Sequence, residues 1–152
     1  MGNEKKGNLH YSVHHWPSIA GVELDVVMDG DTCKVTVDDM RELDYERLEG
    51  DVDVEKAVRC LFGPLSKLPW HDGAYEIPDV VIMDGTEWSL SVDFGGRKLD
   101  CNGHECYPEG FDDVTDGLVD VAKALATGRD PFADEEALSA WERICASVVD
   151  GS

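Results

Sequence analysis

Apolar and polar residues alternate without interruption from Glu87 to Phe94, in the order Glu-Trp-Ser-Leu-Ser-Val-Asp-Phe. A period of two places the four apolar side chains on one face of a β-strand and the polar side chains on the other. Gly95 and Gly96 follow, and a Gly-Gly pair readily adopts the positive φ angles of a tight hairpin. The segment therefore predicts a half-buried strand that pairs with a second strand over 97–101.

Residues 78–83 predict a third strand of this meander. They are almost entirely apolar, so a strand formed by them would be covered on both faces. Asp84-Gly85 supplies the turn into the Trp88 strand. The order of the three strands predicts antiparallel pairing between neighbours along the chain.

A separate hairpin is predicted in the first third of the chain. Residues 22–28 and 32–37 are rich in apolar residues and flank Asp29-Gly30-Asp31. Asp-Gly between two such runs is a strong hairpin signal. Residues 9–15 are also compatible with a strand, which Trp16-Pro17 would end.

The other periodic segments predict helices. Asp53 is a suitable N-cap for a helix that ends or kinks at Gly63-Pro64. A longer helix begins at Phe111 and stops before Gly128, and Asp134 caps the last one. A weaker helical spacing comes from Met40, Leu43 and Leu48.

These elements predict an α+β fold. The sheet would be antiparallel, with about five strands (the hairpin plus the meander), and the helices would pack on one face. Residues 1–8 are polar and predict a flexible N-terminus. Residues 9–150 would then form a single domain, which is long enough to bury a core of its own.

The charge of the chain restricts its partners. There are 33 acidic and 13 basic residues, which give a formal net charge of −20. Such a chain repels nucleic acids and anionic membranes, and no basic patch of a nucleic-acid-binding protein is apparent. No apolar run approaches the ~20 residues of a membrane-spanning helix. A basic protein partner, multivalent cations or adaptation to high salt all remain compatible with this charge.

The cysteines and the start of the chain indicate a cytoplasmic location. The five cysteines are an odd number and are scattered along the chain, which is typical of reduced thiols rather than of a disulfide framework. No apolar segment follows the charged residues at the start, so no secretory signal is predicted.

Cys101, His104 and Cys106 form a metal-like cluster with the spacing Cys-x2-His-x-Cys. Zinc needs a fourth ligand, for which Cys33 and His71 are the candidates. Structural zinc sites usually combine two closely spaced ligand pairs, and the chain has no second pair. We therefore expect no metal and no cofactor, and a loop with a turn at Asn102-Gly103 is the simpler interpretation.

His71 and Asp72 are the main candidates for catalysis, because a histidine beside an aspartate can act as an oriented base. The chain has no recognisable nucleophile elbow and no glycine-rich phosphate loop. An enzyme is therefore the less favoured class. It would be a small hydrolase or a metal enzyme that uses His71, Asp72 or the Cys101–Cys106 loop.

Acidic residues crowd the first turns of the predicted Phe111 helix. Those four residues apart stack on one side of a helix, and each like-charge pair costs about 0.2–0.5 kcal/mol. A solvated face and a loose cation site are alternatives to a docking surface for a basic partner. The candidate partner-binding residues are Glu109, Asp112, Asp113, Asp116 and Asp120.

The strand and the helix start resemble a family of small bacterial domains. In that family a D-G-x-x-W-x-L-x-V strand leads through a hairpin to G-x-x-x-Y-P-x-x-F and a long helix. The matching segments are Asp84 to Val92 and Gly103 with Tyr107 to Phe111, and the resemblance covers roughly 78–126. It implies an architecture in which Tyr107-Pro108 stiffens the approach to the helix and Phe111 anchors its first turn, but no activity, cofactor or site residue.

Together these patterns favour a non-catalytic interaction or regulatory protein that presents an acidic surface to a basic partner. A nucleic-acid mimic that inhibits a DNA-binding protein is the first alternative, and the small hydrolase or metal enzyme is the second. The sequence leaves the oligomeric state open.

Overall fold

The computed structural model describes residues 6–16, 20–40, 45–70, 72–75, 85–94, 97–108, 110–132 and 134–147. The strands are β1 (Lys6–Trp16), β2 (Gly21–Asp29), β3 (Thr32–Asp39), β4 (Glu46–Asp51), β5 (Gly73–Tyr75), β6 (Gly85–Phe94) and β7 (Arg97–His104). The helices are α1 (Val54–Ala57), α2 (Gly63–Leu65), α3 (Phe111–Ala126) and α4 (Glu135–Ser147), and a π-helical segment, Val58–Phe62, joins α1 to α2. The predicted α+β class is confirmed.

The described strands form one mixed sheet in the order β4-β3-β2-β1-β6-β7-β5. The prediction of an antiparallel sheet of about five strands is therefore only coarsely right, since the described residues form seven strands and β5 runs parallel to β7. The edge strands β4 and β5 depend on pairing rather than on local pattern. Leu48, predicted to be helical, lies in β4 opposite Val37. The predicted strand over 78–83 lies outside the described residues. The predicted meander was wrong in its pairing, because β6 is flanked by β1 on one side and by β7 on the other.

Strand β1 occupies the middle of the sheet and has a partner on each side. Tyr11 lies opposite Leu24 of β2 and Leu90 of β6, and the pairing extends back to Lys6. The strand thus begins inside the segment predicted to be flexible. Ladder hydrogen bonds to two neighbours hold this polar start in place.

The buried core of the described strands lies on one face of the sheet. Every second residue of β1, β2, β3, β6 and β7 is buried there, and the residues between them are exposed or half-buried. Helix α3 packs on this face over β3 and β4. The alternation predicted for the Trp88 strand is confirmed, and Trp88 is buried in a strand interior to the sheet.

Phe111 anchors the start of α3 on the sheet, as the family resemblance implied. Its ring centroid lies 5.1 Å from that of Trp88 and 4.8 Å from that of Tyr107. One turn later the buried Thr115 donates to the carbonyl of Phe111 and accepts from the hydroxyl of Tyr11. Phe94, at the other end of β6, stacks instead on Phe62, with centroids 5.0 Å apart.

The helical stretch that begins at Val54 ends at Leu65, directly after Gly63-Pro64, as predicted. Asp53 caps it as predicted and accepts from the N–H of Lys56. Proline has no N–H for the carbonyl four residues earlier, which belongs to Cys60. The indole N–H of Trp141 in α4 donates to that carbonyl at 2.8 Å. The contact joins two helices and satisfies both buried groups.

Helix α4 docks against α3 at a glycine. A side chain at Gly117 would meet the ring of Trp141 at 2.4 Å, so only glycine permits this approach. The predicted cap is confirmed, because Asp134 accepts from the N–H of Ala137 at 2.9 Å. The predicted stop of α3 is also confirmed, since Gly128 has a φ of +75° and left-handed glycine commonly ends helices.

Candidate partner-binding surfaces

Four carboxylates follow the outer side of α3: Asp112, Asp113, Asp116 and Asp120. All four are exposed, while the apolar residues between them are buried against the sheet. We call these four residues the acidic stripe. They are the predicted partner-binding residues except for Glu109, which lies outside the described residues. The amphipathic spacing of the helix is what brings them to one side.

A single base terminates the acidic stripe. Lys123 is the only basic residue of α3, and its ammonium lies 2.6 Å from a carboxylate oxygen of Asp39 and 3.0 Å from one of Glu46. Burial lowers the pKa of Lys123, but hydrogen bonds and charge from the two carboxylates outweigh this effect and raise it overall. Lys123 therefore joins the end of α3 to β3 and β4. Among the described residues, no Lys or Arg pairs with Asp112, Asp113 or Asp120.

The second candidate surface is the face of the sheet opposite the helices, which we call the open face. Several of its acids pair with bases across neighbouring strands. Arg47 lies 3.2 Å from Asp38, which is directly opposite, and Lys34 lies 3.4 Å from Glu49. Cross-strand neighbours of opposite charge stabilise a sheet and reduce the field it projects.

Two histidines of β1 contact carboxylates of β2 on the open face. His10 Nδ1 lies 2.8 Å from Asp25 Oδ1, and His14 Nε2 lies 3.8 Å from Glu23 Oε2. One ligand atom from each of His10, Glu23 and Asp25 falls within 4.8 Å of the others. This cluster is not visible in the sequence, because its members are up to 15 positions apart. The alternation of 10, 12 and 14 in β1 with 23 and 25 in β2 would have indicated it, once their register was known.

The structure does not bring the Cys101, His104 and Cys106 candidates together. Cys101 is buried on the core side of β7, where desolvation raises its pKa to about 12. His104 belongs to the alternate set of residues, on the open face. The carbonyl of Cys106 accepts a hydrogen bond from the Trp88 indole at 2.8 Å. Because side chains alternate between the two faces of β7, Cys101 and His104 lie on opposite sides of the sheet and cannot bind one metal ion together.

Asp72 has a structural contact. Its Oδ1 accepts from the backbone N–H of Asp100 at 2.8 Å, beside the short strand β5. His71 lies outside the described residues. A cleft of about 400 Å³ occurs elsewhere, where Arg59 lies 4.0 Å from Asp130 and 3.7 Å from Glu135. The described residues that line it include none of those that the sequence put forward for catalysis.

No protein-family model matches the chain, and a search of curated proteins finds no similar sequence. Within the described part of the chain, no helix has the length and apolar character needed to cross a membrane.

Proposed function

We propose that this protein is a non-catalytic interaction or regulatory protein, and that its acidic stripe binds a basic protein partner. The observation that carries the proposal is the exposure of four like charges on one side of a helix that is fixed at both ends. Phe111 anchors the first turn on Trp88, and Lys123 ties the last turn to Asp39 and Glu46.

The dimensions of the stripe favour a macromolecule over a single ion. Asp112 and Asp120 are eight residues apart, which corresponds to about 12 Å along a helix axis. A row of carboxylates of this length attracts a basic surface from a distance and accelerates its association. This field is screened within ~8 Å at physiological ionic strength, so binding would weaken as salt is added.

The contacts of the candidate catalytic groups support a non-catalytic role. The Asp72 carboxylate fixes the backbone of β7, and the Cys101 thiol is buried with a raised pKa, which makes it a poor nucleophile. A cytoplasmic location is part of the proposal. Its support is that all five cysteines are free thiols and four of them are buried.

The experiment compares two variants with the same change in net charge. The first replaces Asp112, Asp113, Asp116 and Asp120 with Asn. The matched control replaces four exposed acids of the sheet strands, Asp29, Asp51, Asp93 and Asp100, with Asn. Proteins captured from native lysate at low salt are identified by mass spectrometry, and the association rate of each is then measured with purified components.

We expect the stripe variant to lose a specific basic protein that wild type and the control still bind. Equal loss by both variants would reduce the effect to net charge and contradict the proposal. Competition by double-stranded DNA for the same partner would favour the nucleic-acid mimic instead. Stability that rises steeply with salt in wild type, without stripe-dependent capture, would favour salt adaptation.

A further inference from the structure

Two adjacent strands bring an imidazole and two carboxylates together on the open face. His10 of β1 lies directly opposite Asp25 of β2, and Glu23 is two residues before Asp25 on the same side of its strand. Their nearest ligand atoms lie within 4.8 Å of one another. Strands inside a sheet hold such groups more precisely than loops do.

The charges of this cluster favour a bound cation. The carboxylates of Glu23 and Asp25 repel each other, because they share one side of one strand. The described bases nearby are engaged elsewhere, since Lys34 pairs with Glu49 and Arg47 pairs with Asp38 and Glu49. On the neighbouring strand β3, Thr36 lies opposite Asp25, and another acid, Asp38, lies opposite Glu23. A divalent ion would offset both carboxylate charges at once.

We propose that His10, Glu23 and Asp25 bind one divalent transition-metal ion of the zinc type. Imidazole with carboxylate ligands suits zinc and its neighbours, whereas calcium and magnesium prefer oxygen ligands alone. Zinc–ligand distances near 2.0–2.2 Å place the ligand atoms of a tetrahedral site roughly 3.3 Å apart. The present separations can contract to that value by side-chain rotation.

Two groups can supply the fourth ligand of the ion. His14 Nε2 lies 3.8 Å from Glu23 Oε2, which is close enough for His14 to join the site after a change of rotamer. Water is the alternative, because His10 and Asp25 are both substantially exposed. This site is distinct from the Cys101–Cys106 loop and from the acidic stripe, so it does not depend on the proposed function. It departs from the expectation of no metal that the sequence suggested.

The test is calorimetric titration of chelator-treated protein with zinc chloride, in a buffer with a phosphine reductant. We expect binding of one zinc ion per chain. His10→Asn and Asp25→Asn should each lower the affinity at least about tenfold, since each removes one ligand. The matched control His104→Asn removes an imidazole from the same face outside the cluster and should leave the affinity unchanged. Cys106→Ser should also leave it unchanged.

Thermal unfolding supplies a second measurement. Zinc at a hundredfold excess over its dissociation constant should raise the melting temperature of wild type and of His104→Asn, because the ion binds the folded state. The rise should be absent in His10→Asn. Zinc binding without one-to-one stoichiometry, an equal loss in His104→Asn, or a loss in Cys106→Ser with His10→Asn unaffected would overturn the proposal.

Discussion

The acidic stripe and the open face are both rich in carboxylates, but they organise this charge in different ways. Along α3, residues four positions apart are neighbours, so Asp112, Asp116 and Asp120 add their fields. Across the open face, the neighbours of an acid belong to other strands. Arg47 opposite Asp38 and His10 opposite Asp25 therefore pair with these acids locally. Within a net charge of −20, the helix thus places acids beside one another, whereas the sheet places several acids beside bases or imidazoles.

The largest expected effect on stability comes from a substitution in the core that lies between the sheet and α3. Trp88 is buried on the core side of β6, the side opposite the open face, and contacts Phe111 at the start of α3. Trp88→Ala should lower the free energy of unfolding by about 3–5 kcal/mol, because a large buried ring is lost. Urea unfolding followed by circular dichroism measures it, and Trp88→Phe should lose less. A loss below about 1 kcal/mol would contradict this role.

The next effect concerns the connection between the two regions. Lys123→Met leaves Asp39, which is only 8% exposed, without its ammonium partner, and should cost about 1–3 kcal/mol. Lys34→Met is the matched control, because its pair with Glu49 is exposed and such pairs contribute about 0–1 kcal/mol. The folded pKa of Lys123 is raised, so its stabilisation is fully present below 10.5 and lost as pH rises through the folded value. Equal losses in the two variants at pH 7 would contradict the distinction.

The third effect is the pH dependence of stability that comes from two buried thiols, one in the sheet and one in a helix. Burial raises the pKa of Cys101 in β7 and of Cys145 in α4 to about 12 each. Between pH 9 and 12 the unfolded chain loses these protons and the folded chain keeps them, so stability falls by up to ~1.4 kcal/mol per pH unit for each thiol. Chemical unfolding under reducing conditions should show this slope. Cys101→Ala and Cys145→Ala should each make it shallower, and an unchanged slope would contradict the assignment.

The smallest expected effect on stability is at the acidic stripe itself. Replacing Asp112, Asp116 and Asp120 with Asn relieves two like-charge pairs of about 0.2–0.5 kcal/mol each, offset by a favourable helix-dipole contribution from Asp112 of similar size. The melting temperature should be unchanged or slightly higher, and association with the partner should slow and lose salt dependence. A marked drop in melting temperature would mean that these side chains support the fold, and the partner-binding proposal would then fail for this surface.

The elements that the sequence predicted well have local signals. The β2–β3 hairpin contains Asp-Gly between apolar runs, and α3 and α4 have continuous helical spacing with suitable caps. Strand β4 was missed because Leu48 is its only apolar residue, and it is held by register with β3 and by the approach of Gly50 to the backbone of Ala126. Strand β5 has only three residues, and its parallel partner is distant along the chain.

The candidate sites follow the same division. The acidic stripe was visible in the sequence, because a helix converts a spacing of four into adjacency. The cluster of His10, Glu23 and Asp25 was not visible, because adjacency between strands depends on their register. The burial of Trp88 and Phe111 could be predicted from the sequence, because each is one of the apolar residues in a regular strand or helix pattern.

The contact between Pro64, Cys60 and Trp141 predicts how two positions should vary in related chains. Proline leaves the Cys60 carbonyl without its helical donor, and the indole of Trp141 occupies it from 81 positions away. An ordinary residue at 64 would restore the helical donor and compete with the indole, while loss of the tryptophan would leave the carbonyl unsatisfied. Either substitution alone is disfavoured. In relatives that share this fold, positions 64 and 141 should therefore vary together, as a proline with a tryptophan or as neither.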